Sequence, residues 1–572
     1  MHLPHDLASI GSGCLGAMWL IGLWYAAPLL PASRTPAARL AATIALGCGI
    51  PLALGFANLL YAWSLWTVLL VLLALRLSRG FGMQRDRDPA RPVPWDLLAG
   101  FATLLCLAWP LAVRPAIDGD TLIYHLPNAA AWVAHHGLWV TGTRYWWYPP
   151  ASEIFASGLL ATGGLGVVGW AGLLPAALLI LTVRTVAERN GLAPIVGTLA
   201  GSALTATPVV AAQLVSLQND VWQAALFAFA LTEFSPVAVG VLALTKPNGF
   251  VYAMLSNAPW LGDRRRILTA SAVAIGIALL WFVRDLVLAP RAIVPIWTST
   301  AGAGLATTIA AHLPHALAVL VTASWNAGLV WTLFFASGIA AMAYPRQPFL
   351  RWAALTSLAI FFFVPTGYEG TIPQLATGAS LRYALPFCAL GAFWLAAAPR
   401  KLTPLLIAAA CVAVSVGVAA QWTLFYNDAT THDTPIVVLL ATAAFAAIAA
   451  IGHPGVRKSA GAALLVALAA LAGGLAESHP ADYVVDAFGK GGGFAFVASN
   501  GFANVVTLGL PAGSIITVDP KVDAFDGTDQ GSCEEARRLH AVILASSDRL
   551  KDVNCGTVLF RDDDTAVVDP AR

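Results

Sequence analysis

Two carboxylates stand two residues apart in the stretch Arg114-Pro115-Ala116-Ile117-Asp118-Gly119-Asp120-Thr121-Leu122-Ile123-Tyr124-His125-Leu126-Pro127, just beyond a long apolar run. A pair so spaced can hold a divalent cation, Mg or Mn, or can take a proton from a reacting hydroxyl. An acid ahead of a helix start also caps backbone N–H groups, and that rival explanation stays open. Further polar residues recur where apolar runs break: Glu153 behind Pro149-Pro150, Asn219-Asp220, Lys246 within Leu244-Thr245-Lys246-Pro247, Arg284-Asp285, and Arg382-Tyr383. Arg binds phosphate oxygens bidentately and Lys acts as a point charge, so Lys246, Arg284 and Arg382 are candidate anion ligands. Their alternative is snorkelling to the interface or local pairing, Arg284 with Asp285 for example. Tyr124, His125, Tyr383, Glu153 and Asn219 are candidate phosphate or sugar contacts, with caps and structural hydrogen bonds as alternatives.

The elements that must position these groups follow from composition. Of 572 residues 58% are hydrophobic and 11% charged, against roughly a quarter charged in a soluble domain. That excludes an ordinary soluble fold, and a net charge of +2 gives no reason to expect nucleic acid as a partner. Apolar runs approaching the ~20 residues needed to cross a bilayer recur along the chain. We count about sixteen, beginning near 8 to 30 and ending near 459 to 476, with short ones at 236 to 246 and 248 to 259. The first lacks a basic leader and a small-residue cleavage site, so it is expected to be retained. The expectation is an all-α polytopic membrane protein of about 14–16 hydrophobic segments, with outer juxtamembrane helices and a small C-terminal α/β domain.

Lys and Arg are held on the cytoplasmic side during insertion. Arg34 and Arg39, Arg76 to Arg91, Arg184 and Arg189, Arg264 to Arg266, Arg346 and Arg351, Arg400 and Lys401, and Arg457 and Lys458 all fall on one side of the segment order. The opposite, extracytoplasmic side then holds 114–167, the Asn219-Asp220 turn, 290–317, 367–382 and everything after about 477. Thr121 to His136 reads as an amphipathic surface helix, with Trp132, Trp139, Trp146 and Trp147 as interfacial anchors. The stretch behind Pro149-Pro150 reads as re-entrant or juxtamembrane. Beyond Ala476 the chain turns rich in Asp, Gly and Ser. Strands are expected at Ser514–Val518, His540–Ala545 and Gly556–Phe560, with a helix at Cys533–Leu539. Cys533 and Cys555 are candidates to pair in an oxidising compartment. Three regions result: 1–94, three additional helices; 95–476, the membrane region with the outer loop 114–167; and 477–572, the soluble tail.

The ordered set of motifs resembles the GT-C superfamily of integral-membrane glycosyltransferases, in particular the protein mannosyltransferase and lipid A aminoarabinose transferase group. Asp120, four residues before Tyr124-His125-Leu126-Pro127, matches that family's first acid, Pro149-Pro150 its Pro-Pro element and Asp220 its second acid. Thr245-Lys246, Trp281-x-x-Arg284-Asp285 (Asp where Asn is usual) and Arg382-Tyr383-x-x-Pro386 resemble later elements. The likeness runs from about Trp95 to Arg382. It implies a multi-pass protein of the bacterial inner membrane that moves a sugar from a polyprenyl-phosphate donor to a glycan, lipid or protein acceptor outside. Asp120 is then the general base, its pKa expected to be raised by desolvation. Asp118 would bind a cation or orient the acceptor, and the basic residues would neutralise the donor phosphate. An O-antigen ligase or polymerase would rely on Arg and His in a large outer loop. A secondary transporter would show internal repeats with ionisable groups at the midplane. Acids gathered on one face, behind Asp120, favour the first reading over both.

Overall fold

The computed structural model describes residues 3–30, 35–79, 120–290, 328–343, 348–363, 380–397 and 492–571, apart from short gaps at 215, 511, 519–521 and 528–531, together with isolated positions within 96–104 and 313–320. The expected segments at 403–423, 435–452 and 459–476 lie outside these residues, as does Asp118.

The described chain is mostly helical. In order it runs α1 (Leu3–Ala26), α2 (Pro36–Phe56), α3 (Ala62–Ser78), a π-helical turn (Thr121–His125), α4 (Leu126–Ala134), α5 (Ala151–Gly163), a 3-10 segment (Leu165–Gly172) and α6 (Leu173–Arg189). Then come α7 (Pro194–Thr205), α8 (Pro208–Leu214), α9 (Asn219–Thr232), α10 (Pro236–Ala243), α11 (Gly249–Leu255), α12 (Arg264–Leu288), α13 (Gly328–Met342), α14 (Pro348–Phe363), a 3-10 turn (Ser380–Ala384) and α15 (Leu385–Ala396). Among the described residues, three stretches are long and apolar enough to cross a membrane by length and composition: Pro36–Phe56, Leu165–Arg189 and Arg264–Leu288.

Local chemistry sets the helix starts. Thr35 and Ser235 cap α2 and α10 by accepting from Ala38 N and Ala238 N, each with proline in the first turn, and Asp263 caps α12 by accepting from Arg266 N. The expected run 193–214 is two helices, broken around Thr207-Pro208 because proline lacks the N–H that an unbroken helix needs. Gly197 and Gly201 let α7 approach α6 closely: a Cβ at either would fall 2.6–2.7 Å from the backbone of Arg184 or Ile180. Helix α9 is buried along almost its whole length, as befits the centre of the bundle. Helix α12 instead exposes Leu268, Ile275, Leu279, Val283 and Val287 along its outer face.

A group of arginines marks one end of α9. Arg189 donates to the Thr232 carbonyl and to Glu233 Oε1, and Arg266 lies over the Phe234 and Trp260 rings, all at the C-terminal end of α9. Asp220 sits at the other end, ~20 Å away at 1.5 Å per residue.

The tail forms a five-stranded sheet with order β2-β1-β3-β5-β4, where β1 is Asn504–Leu508, β2 Asp523–Asp526, β3 Val542–Ser546, β4 Thr557–Arg561 and β5 Thr565–Asp569. Its helices are α16 (Gly492–Asn500), α17 (Ala512–Val518) and α18 (Ser532–Leu539). Strands β3 and β4 and helix α18 fall where the sequence predicts them. Ser514–Val518 does not: it is helical. Strands β1 and β2 pair in parallel, and a parallel pair needs a crossover, which outweighs the β-branched composition of this run. Cys533 and Cys555 are disulfide-bonded, with Cα atoms 6.1 Å apart. Helix α17 packs on the π turn and α4, and β2 also packs on α4, so the tail rests on the segment that follows Asp120. Trp132 and Trp146, expected as interfacial anchors, are buried: Trp132, within α4, packs on Trp281, and Trp146, in the loop before α5, lies against the Arg284 guanidinium; Trp139 stays partly exposed and donates to the Phe56 carbonyl.

Candidate active site

Four charged side chains from four separate segments meet at the Asp220 end of the bundle. Asp120 directly precedes the π turn, and its Oδ2 accepts from Arg382 Nη1 at 2.7 Å. Arg382 Nε lies 3.6 Å from Asp220 Oδ2, and Asp220 Oδ1 accepts from Lys246 Nζ at 2.5 Å. The Tyr383 ring lies beneath both cations, 4.7 Å from Lys246 Nζ and 5.3 Å from Arg382 Cζ, and its hydroxyl is 3.5 Å from Arg382 Nη2. Exposure is graded across the set: Asp220 is 2% exposed, Arg382 10%, Lys246 17% and Asp120 23%. The buried acid therefore anchors the cations, while Asp120 and Lys246 are the more accessible members.

Each member is held by its local fold. Asp120 makes no side-chain cap to the turn behind it, so the capping alternative does not account for this acid. The π turn itself follows from Pro127: an α-helical pattern would set the proline ring against the carbonyl of Ile123, and widening the turn avoids that clash. Lys246 occupies the turn between α10 and α11. That turn is tied to α5 by Ala151 N donating to the Leu244 carbonyl, and to α9 by Gln223 Nε2 donating to Asn248 Oδ1. Arg382 and Tyr383 lie in the 3-10 turn that leads into α15.

A second polar group adjoins the first. Glu153 Oε1 is 2.7 Å from His125 Nδ1, and its Oε2 accepts from Ser152 Oγ at 2.9 Å and Asn219 Nδ2 at 3.2 Å. Asn219 Oδ1 accepts from Ser152 N, and Thr121 Oγ1 accepts from Leu217 N. Tyr124 stacks obliquely on His125 with centroids 3.9 Å apart and meets Tyr145 edge-on at 5.0 Å. Ser152 and Thr121 are the polar residues that sequence reasoning passed over. Their only signal was position, Ser152 two residues after Pro150 and Thr121 directly after Asp120.

Electrostatics corrects one expectation. Burial pushes the Asp120 carboxyl up, but Arg382, His125 and Lys246 together outweigh it and hold the group below the usual carboxylate range. The expected rise from desolvation is therefore reversed in this arrangement. Tyr148, next to the Pro-Pro element, is pushed up to about 12 by burial and by Tyr145 and Tyr383.

Arg284, expected beside the donor phosphate, is placed elsewhere. It is 0% exposed, and its donors go to the carbonyls of Leu138 (2.8 and 2.6 Å), Val140 (3.1 Å) and Trp146 (2.9 Å) and to Asp285 (2.8 Å), with the Trp281 ring 4.3 Å away. Trp281 Nε1 donates to the Trp147 carbonyl. The end of α12 thus pins the 138–147 loop, and the local-pairing alternative describes this arginine. Asp118, the other half of the metal expectation, lies outside the described residues. Among the described residues Asp120 pairs with Arg382, and Asp220 with Arg382 and Lys246. Among the described residues no group of three or more His, Cys, Asp or Glu side chains is arranged to hold one.

No protein-family model matches the chain, and no curated protein matches it. Among solved structures, the chain is similar to the crystal structure of ArnT from Cupriavidus metallidurans bound to undecaprenyl phosphate. The two are 15% identical with a TM-score of 0.49, over 83% of this chain and 97% of that one.

Proposed function

We propose that this chain is an integral-membrane glycosyltransferase that moves a sugar from a polyprenyl-phosphate donor to a glycan, lipid or protein acceptor on the extracytoplasmic side. The observation that carries the reading is the Asp120–Arg382–Asp220–Lys246 cluster, which joins four of the motifs on which the family resemblance rests. It lies at the opposite end of α9 from Arg189 and Arg266, so the positive-inside rule supports an outward-facing site.

In the reaction, the acceptor hydroxyl oxygen forms a bond to the anomeric carbon. The bond from that carbon to the donor phosphate oxygen breaks, its electron pair leaving with polyprenyl phosphate, and the hydroxyl proton passes to Asp120. Lys246 and Arg382 neutralise the phosphate, as a point charge and as a planar fork respectively. Asp220 holds both cations in place from below. Asp120 is a weak base while Arg382 is paired with it. An arriving phosphate competes for the guanidinium, and as Arg382 turns to the phosphate the proton affinity of Asp120 rises towards the working range. The base is thereby armed by the donor. The tail, seated on the π turn and α4, is positioned to contribute to acceptor recognition.

The test is transfer of radiolabelled sugar from a panel of polyprenyl-phosphate sugars in membranes carrying the intact chain or Asp120→Asn at equal expression. Transfer by the intact chain alone supports the reading. Equal transfer by both removes Asp120 as the base, and no transfer by either rejects the donor class.

A further inference from the structure

Resting on that transfer reading, we propose that Glu153 is a positioning residue which fixes the spacing of Asp120 and Asp220 and does not touch substrate. The residue is 1% exposed and both its carboxylate oxygens are occupied. Oxygen Oε1 holds His125, which ends the π turn that Asp120 opens. Oxygen Oε2 holds Asn219, the neighbour of Asp220. One carboxylate on α5 therefore ties together the two segments that carry the acids, and the Thr121–Leu217 hydrogen bond braces the same junction.

At 1% exposure Glu153 is closed off from a sugar hydroxyl by these partners and the surrounding helices. Nor does stability explain the choice of residue. A buried carboxylate is costly unless paired, and apolar residues of similar volume commonly replace such pairs at no loss of stability. What the charge supplies is directionality. A carboxylate accepts from the imidazole, the hydroxyl and the amide at once; a glutamine has one acceptor oxygen, so its NH2 group must face either Asn219 Nδ2 or His125 Nδ1, and the second arrangement requires the imidazole to leave Nδ1 unprotonated. Because Asp120 and Asp220 share Arg382, a small change in their separation changes how the guanidinium is held.

The experiment compares the full chain in detergent with Glu153→Gln by hydrogen–deuterium exchange and by transfer kinetics. Ser157→Ala, which removes a buried hydroxyl on the same helix bonded among the described residues to the Ile154 carbonyl, controls for damage to α5. Glu153→Gln is expected to speed exchange at both 120–126 and 217–222, and to lower kcat about tenfold or more with donor KM held within about twofold. The double variant Glu153→Gln with Asn219→Asp, which exchanges carboxylate and amide across the 3.2 Å contact, is expected to recover slow exchange in both segments and part of kcat. Should Glu153→Gln fail to fold, Glu153→Asp keeps the charge on a shorter arm and is expected to show the same paired change in exchange. Faster exchange confined to α5, or a rise in donor KM at unchanged kcat, overturns the proposal. If the wild-type chain transfers no sugar, the transfer reading fails by itself, while the exchange pattern still decides whether Glu153 ties the two segments.

Discussion

Arg382 Nη1 and Asp120 Oδ2 lie 2.7 Å apart, joining the turn before α15 to the residue that precedes the π turn. The same guanidinium lies 3.6 Å from Asp220, so one side chain senses both acids. The cluster is self-neutralised, two cations against two carboxylates, and under the proposed function an incoming phosphate must take the place of a carboxylate.

That competition separates binding from chemistry. Asp120→Asn is expected to lower transfer roughly a hundredfold or more. The same variant is expected to bind polyprenyl phosphate more tightly, by about tenfold, the worth of one charge-assisted hydrogen bond. Binding followed by intrinsic fluorescence, beside transfer by the same preparation, checks both; weaker binding would mean that Asp120 does not compete for Arg382.

The two cations are expected to differ. Lys246→Met removes a point charge and should raise donor KM. Arg382→Lys loses the fork that spans Asp120 and Asp220 and should lower kcat as well. Steady-state kinetics over a donor series measures the split, and identical effects of the two variants would count against separate roles.

Acid should dissolve the Asp120–Arg382 pair. The folded pKa of Asp120 is depressed, so the stability it contributes is fully present above the unfolded carboxylate value, about 4, and is lost as pH falls through the lower folded value. Thermal unfolding of the lipid-free wild type and of Asp120→Asn should therefore differ near neutrality and converge below about pH 4. A gap that persisted unchanged into acid would show that the pair contributes nothing.

Arg284 provides the contrast. Arg284→Ala leaves buried Asp285 and three loop carbonyls without their partner and is expected to cost about 3–5 kcal/mol, seen as a lower unfolding temperature. Donor KM of the surviving folded protein should stay near that of wild type. A selective rise in donor KM at full stability would return this arginine to the phosphate.

The Cys533–Cys555 bond closes a short loop of 22-residue separation around α18. Cys533→Ser is expected to cost the tail about 3 kcal/mol. Limited proteolysis should then cut within 532–556 first, and a cleavage pattern unchanged from wild type would show that the bond is dispensable to the tail.

The sequence by itself determined the apolar character of the chain, the breaks between short helices, and the identities of Asp120, Asp220, Lys246, Arg382, Tyr124, His125, Glu153, Asn219 and Tyr383, because motif order and hydropathy are local properties. Tertiary structure decided which of these meet. Nothing in the neighbourhood of Arg284 distinguishes a phosphate ligand from a loop anchor; the choice was made by the carbonyls of Leu138, Val140 and Trp146, which reach it from the loop between α4 and α5. The helical state of Ser514–Val518 was likewise hidden, since it follows from the parallel pairing of β1 with β2 and from packing on the π turn. The proton affinity of Asp120 was set in the same way: burial alone would raise it, and Arg382, the largest of the opposing groups, and Lys246 are distant in sequence and brought near only by the folded chain, with His125 adding a local contribution.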